Sequence, residues 1–247
     1  MIRRRDAAVF DLDGTLVETL PDIHAVLAEL LGEAGITVPD PEAVRRMIGD
    51  GARMLVVRAL AAAGRAASDA EIDRLHRRFV ELYERHPCRH GKMFPGVRAC
   101  LERLQAEGVR LGVCTNKPQR ASEELLEALG LAPYFSSIVG GDRLPQRKPD
   151  PRHLVAVLRE LGVAAEHAVM VGDSRNDLLA ARGAGLPCVL VRHGYGPEPV
   201  ERLGAHRVID NLAALPPLLG FPASDSDTAT PLDSARGDPY ERCGKGA

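Results

Sequence analysis

Several ordinary structural devices are absent from this chain of 247 residues. Its five cysteines (Cys88, Cys100, Cys114, Cys188 and Cys243) are scattered and form no CxxC pair. That argues against a zinc ribbon or a disulfide framework and fits a reducing cytosol. The histidines form no HExxH motif, so a zincin-type metal site has no support. No apolar run approaches the roughly 18 residues that span a bilayer. A secretory leader is not expected either, because Asp11 interrupts the apolar stretch that follows "MIRRRDAAVF". Excess charge is missing too: the net charge is −2, so neither nucleic acid nor an anionic membrane is an expected partner. Lysine is scarce, at four of 32 basic residues: Lys92, Lys117, Lys148 and Lys245. Where arginine serves almost everywhere, a lysine marks either a place that wants a compact ammonium or nothing more than chance.

What is present is an alternating text. "DAAVFDLD" reads as a buried strand ended by Gly14. From about residue 21 to 88 the spacing turns helical, as in "PDIHAVLAELLGEAG", "GARMLVVRALAAAG" and "DAEIDRLHRRFVELYERH". After "MFPG", helices alternate with the strands "VRLGVCTN", "FSSIVGG", "HAVMVGD" and "PCVLVRHG". Such alternation means βαβ units, a parallel sheet and helices on both faces. The expected fold is therefore a doubly wound, Rossmann-like α/β core with an inserted all-helical domain. Residues 1–16 and 92–220 form the core, 17–91 the helical cap, and 221–247 a small, polar tail expected to be disordered.

Open parallel sheets bind ligands beyond the carboxyl ends of their strands. Four expected strand or loop ends carry polar groups there: Asp11-Leu12-Asp13-Gly14-Thr15, Thr115-Asn116-Lys117, Lys148 in "RKPDP", and Asp173 followed by Asp177 in "GDSRND". Residues two apart on a strand share a face, so Asp11 and Asp13 point one way while Leu12 points to the core. A lone DxD also serves as a turn or helix cap, but four such ends in order make a site. Carboxylates gathered in one crevice raise each other's pKa unless a cation sits among them. Oxygen ligands without histidine or cysteine favour Mg²⁺. Thr115, the backbone N–H groups around Asn116, and Lys148 are then donors suited to a phosphoryl group.

"DLDGTLVET", "CTN", "RKPDP" and "GDSRND" resemble the four motifs of the haloacid dehalogenase superfamily, and the helical insertion resembles its C1 cap. The resemblance implies a Mg²⁺-dependent phosphatase that works through an aspartyl-phosphate. In that scheme Asp11 is the nucleophile and Asp13 the general acid and base. Asp11, Asp173 and the Asp13 carbonyl hold the metal, with Asp177 behind them. Thr115, Asn116 and Lys148 hold the phosphoryl oxygens. No GxxxxGK[ST] is present, which excludes a P-loop nucleotidase.

The cap segment "VRRMIGDGARMLVVRALAAAG", with "FPGV", "KPDPRHL" and "GLPCV", resembles the bacterial phosphoglycolate phosphatase family. That implies hydrolysis of 2-phosphoglycolate to glycolate and phosphate. Its carboxylate would be read by N–H groups at Gly49 and Gly51 or by Arg45 and Arg53, unless these arginines only solvate the cap. Other readings remain open: a phosphatase of a sugar phosphate, nucleotide or pyrophosphate, a phosphoglucomutase-like enzyme, or a non-catalytic binding protein. The expected partner is a small phosphorylated metabolite, and the expected setting is the cytoplasm, as a monomer or homodimer.

Overall fold

The computed structural model describes residues 5–85 and 88–221. The short apolar run Ala7–Phe10 forms β1, with every residue buried. A two-residue strand β2 (Val17–Glu18) leads into α1 (Leu20–Glu33), α2 (Pro41–Arg45), α3 (Ala52–Ala62) and α4 (Asp69–Arg85). Strand β3 (Lys92–Met93) returns antiparallel to β2. The remainder alternates as α5 (Val97–Ala106), β4 (Arg110–Cys114), α6 (Gln119–Ala128), β5 (Ser137–Val139), α7 (Pro151–Leu161), β6 (Ala168–Gly172), α8 (Arg175–Ala184) and β7 (Cys188–Val191). Strand β8 (Arg207–Ile209) and helix α9 (Leu215–Leu218) follow.

The strand order is β5-β4-β1-β6-β7-β8, with all neighbours parallel. Strand β1 lies between β4 and β6, where the order reverses, and Phe10 stands level with Val113 and Val171. The residues just past these three strands therefore open into one crevice, as expected at such a switch point. Alternation along β1 sends Ala8 and Phe10 into the apolar layer on one face and Ala7 and Val9 into that on the other.

The four helices of the insertion bury a core of their own, including Leu27, Leu30, Val56, Leu60, Leu75, Phe79 and Leu82. One face of α4 packs: Leu75, Phe79 and Leu82 are buried, with Ile72 at its margin. Ala121 of α6 joins the same cluster, so the cap's apolar core runs onto the sheet domain.

Two expectations change. Phe221, read as the start of the tail, is buried in the sheet-domain core, because its ring packs with the α9 segment; the rest of the tail lies outside the described residues. Cys100, Cys114 and Cys188 are buried free thiols, but Cys88 is disulfide-bonded. Spacing alone cannot show which cysteines meet in space. Strand β8 was not read from "HRVID", whose three strand residues are too few to show a period.

Candidate active site

Asp11 directly follows β1, and its N–H donates to the Val171 carbonyl at 2.9 Å. Its Oδ1 accepts from the Leu12 N–H at 2.8 Å and from the Lys148 ammonium at 2.9 Å. Lys148, buried ahead of α7, also donates to Asp177 Oδ1 at 2.6 Å. Burial opposes its charge, but Asp11 and Asp177 raise the ammonium above the ordinary lysine range. His153 on α7 supports the loop: its Nδ1 accepts the Lys148 backbone N–H at 3.2 Å, so its Nε2 faces the Gly140 carbonyl as donor.

Asp177 does two jobs. With Ser174 it forms the capping box that starts α8, its Oδ2 accepting from Ser174 N–H at 3.0 Å and from Ser174 Oγ at 2.6 Å. Its other oxygen is held by Lys148. Fully occupied, Asp177 sits behind the site. Asp173 is held by Thr15 Oγ1 at 3.2 Å and by the Tyr195 N–H at 2.6 Å. Glycines make room for it: a Cβ on Gly194 would lie 2.0 Å from the Asp173 Cβ, and one on Gly14 (φ +81°) 2.7 Å from its Oδ2.

One carboxylate oxygen each from Asp11, Asp173 and Asp177 lies within 4.8 Å of the others. Burial, eased by Lys148 but worsened by Asp177, pushes Asp11 from an ordinary 3.8 up to about 6. Burial, with repulsion from Asp177 and Asp11, drives Asp173 well above the usual carboxylate range. Four carboxylates, counting Asp13, face the two ammonium groups of Lys117 and Lys148. The shortfall is the charge of one divalent ion, and an all-oxygen donor set fits a hard cation.

Asp13 points into the same crevice and is paired with the Lys117 ammonium at 3.2 Å. Thr115 is buried, its Oγ1 accepting from the Lys117 N–H at 3.2 Å. The Asn116 side chain has a structural use absent from the sequence reading. Its Nδ2 donates to the Gly49 carbonyl of the cap at 2.8 Å and to the Lys148 carbonyl at 2.9 Å, tying cap to core above the site. Asn176 adds a second tie, to Asp50 at 2.6 Å.

The cap closes the crevice into a cavity. Gly49 and Gly51 line it, and so do Ile23, Ile48, Leu55, Phe79 and Val80. Among the described cap residues on that wall, Tyr83 alone has a polar side chain. Arg45 and Arg53 do not line it. Arg45 donates to the His193 and Gly194 carbonyls at 3.0 and 2.7 Å, and Arg53 is held by Asp69 and Asp73 at 3.0 and 2.8 Å. Their guanidiniums serve the cap and its seam, a fate set by partners distant in sequence. The sequence reading gave no role to three side chains here: Lys117, Tyr83 and Tyr195. Lys117 had a signal in the scarcity of lysine. Tyr195, whose hydroxyl accepts the Thr19 and Leu20 N–H groups at the start of α1, had none.

Known proteins resemble this chain in sequence and in fold. The chain is 47% identical over 231 residues to a phosphoglycolate phosphatase of Rhodospirillum rubrum, covering 91% of this chain and 96% of that one. A crystal structure of a predicted phosphoglycolate phosphatase from Haemophilus somnus superposes with a TM-score of 0.82 at 30% identity, covering 88% of this chain and 99% of that one. CbbY from Rhodobacter sphaeroides, solved in complex with phosphate, gives 0.74 at 29% identity over 85% of this chain and 96% of that one. The family model for haloacid dehalogenase-like hydrolases matches residues 8–191, and the chain belongs to that family.

Proposed function

We propose that this hydrolase removes phosphate from 2-phosphoglycolate in the cytoplasm, with Mg²⁺ held by the carboxylates of Asp11 and Asp173 and the main-chain carbonyl of Asp13. When bound, the ion neutralises the crowded carboxylates and the substrate phosphoryl group. Asp11 attacks phosphorus, forming an O–P bond as the ester O–P bond breaks. Asp13 gives its proton to the leaving alkoxide, then takes one from the water that cleaves the aspartyl-phosphate. Thr115 Oγ, the Asn116 backbone N–H and the Lys148 ammonium hold the phosphoryl oxygens as charge spreads over them. Lys148, paired with Asp11, also keeps that carboxylate ionised and aimed.

The observation that carries the substrate reading is the cavity: charge on the sheet side, and a cap wall with one polar side chain. The hydroxyls of a sugar phosphate or nucleotide would be buried there without partners, at a cost of about 1–3 kcal/mol each. A two-carbon acid has no hydroxyl to strand. Phosphate release from a panel of esters, with Mg²⁺ and then with EDTA, tests it. We expect 2-phosphoglycolate to exceed glucose 6-phosphate and pyrophosphate in kcat/KM by at least about tenfold. Equal values reject the substrate; activity that survives EDTA rejects the metal.

A further inference from the structure

Lys117 is a buried cation on the cavity wall to which the reaction above gives no part. Its ammonium donates to Asp13 Oδ1 at 3.2 Å and to Tyr83 Oη at 2.8 Å, and lies 4.0 Å from the Tyr83 ring centroid. An ammonium has three N–H donors, and these two bonds leave one. Asp13 and Tyr83 are the partners of this buried ammonium on the cavity wall. Burial pushes the Tyr83 phenol up to about 12, so the hydroxyl that accepts from Lys117 keeps its own proton to donate. Helix α3 begins at the same wall, at Gly51 and Ala52, with no acidic residue in its first turn and no side-chain cap. A cation, a phenol and an uncapped helix start thus meet in a chamber whose remaining cap wall is apolar.

We propose that Lys117 and Tyr83 form a carboxylate subsite, selecting phosphate esters whose leaving oxygen is borne by the carbon next to a carboxylate. The proposal rests on the substrate reading above and names the residues that make the selection. Its geometric basis is the Lys117–Asp13 contact. Asp13 must reach the leaving oxygen to protonate it, so a donor at hydrogen-bond distance from Asp13 lies close to that oxygen. In an O–CH₂–COO⁻ group the carboxyl carbon is two bonds from the leaving oxygen, within reach of the same ammonium.

The charges also match through the cycle. While Asp13 carries the proton it will deliver, Lys117 lacks its counter-ion, and the substrate carboxylate supplies one. After delivery Asp13 is an anion again and competes for the ammonium, which weakens the hold on the departing hydroxy acid. A neutral ester leaves Lys117 buried and unbalanced at the first step, a penalty that works as discrimination.

The test uses the full-length Mg²⁺-loaded enzyme and two esters of similar shape, 2-phosphoglycolate and isobutyl phosphate, which has methyl groups in place of carboxylate oxygens. Both need Asp13, so whatever Lys117 does for that acid divides out of the ratio of their kcat/KM values. We expect the ratio to fall about 100-fold in Lys117→Met and about fivefold in Tyr83→Phe, the latter preserving the ring should the lysine variant not fold. An unchanged ratio in a folded variant, with both substrates losing activity in parallel, overturns the subsite and leaves the substrate reading standing. A wild-type enzyme that shows no preference between the esters overturns both.

Discussion

The two walls of the cavity solve opposite problems. The sheet side carries Asp11, Asp13, Asp173 and Lys117 on its wall at the ends of β1, β4 and β6, with Lys148 ahead of α7 and Asp177 at the start of α8 behind them. The cap wall supplies Ile23, Ile48, Leu55, Phe79 and Val80, with Tyr83 as its polar exception. Charge that would unfold an ordinary core is tolerable on the sheet because each group is tied by backbone or lysine, and a cation completes the balance. The cap works by exclusion: it removes water, strengthens every charge below it, and strands the hydroxyls of the wrong substrate. In the proposed reaction chemistry belongs to the sheet and selection to the cap, with Lys117 at the junction.

That division breaks most visibly at Asp11, the proposed nucleophile. Asp11→Asn is expected to lower kcat for every ester by at least about 10⁴-fold, as loss of a covalent nucleophile does. Trapping of phosphorylated protein should vanish with it. Retained activity would move the chemistry elsewhere.

Lys148→Met comes next, with a loss of about 10³-fold in kcat. It also leaves Asp11 and Asp177 buried without their cation, so thermal unfolding should show a destabilisation of about 3 kcal/mol. A variant as stable as wild type would mean that the pair does not hold the sheet wall together.

The pH dependence separates the walls without mutation. Without metal, the folded protein binds the Asp11 proton more tightly than the unfolded chain does, because burial raises that group from 3.8 to about 6. Its stabilising contribution is complete below 3.8 and is lost as pH rises through about 6. The raised Asp173 acts in the same direction. In EDTA the stability should therefore decline over this window, and Mg²⁺ should raise Tm more at pH 7.5 than at pH 5, because the ion needs both carboxylates ionised. Scanning calorimetry at the two values reads it; equal shifts would deny that these carboxylates bind the ion.

The smallest effect belongs to the seam. Asn176→Ala removes the ties to Asp50 and to the Gly49 carbonyl but leaves Asn116 holding Gly49. We expect KM to rise about threefold with kcat nearly unchanged, since partly exposed hydrogen bonds are worth about 0.5–1.5 kcal/mol each. A large fall in kcat would mean that cap closure helps to assemble the chemical site.

The sheet wall was largely legible in the sequence because its determinants are local. A strand's two-residue period puts Asp11 and Asp13 on one side, and parallel βα units bring strand ends to one edge whatever the helices contain. Lys148 and Asp177 could be expected near that edge for the same reason. The cap wall was less legible. Arg45 and Arg53 stood in the right segment with the right charge, yet the His193 and Gly194 carbonyls and the acids of α4 take them up.

By itself, then, the sequence determined the doubly wound sheet, the helical insertion and the identity of the charged groups on β1, β4 and β6. Hydrophobic period and strand register are short-range properties, and they suffice for these. Only the tertiary structure decided what closes over them. The meeting of Lys117 with Tyr83, 34 residues away, depends on how the cap's apolar core docks on Ala121 of α6. So does the use of the Asn116 amide as a clasp, whereas the burial of Phe221 depends on the chain after α9 packing into the sheet-domain core. Each follows from side-chain packing between distant segments, which no local period encodes.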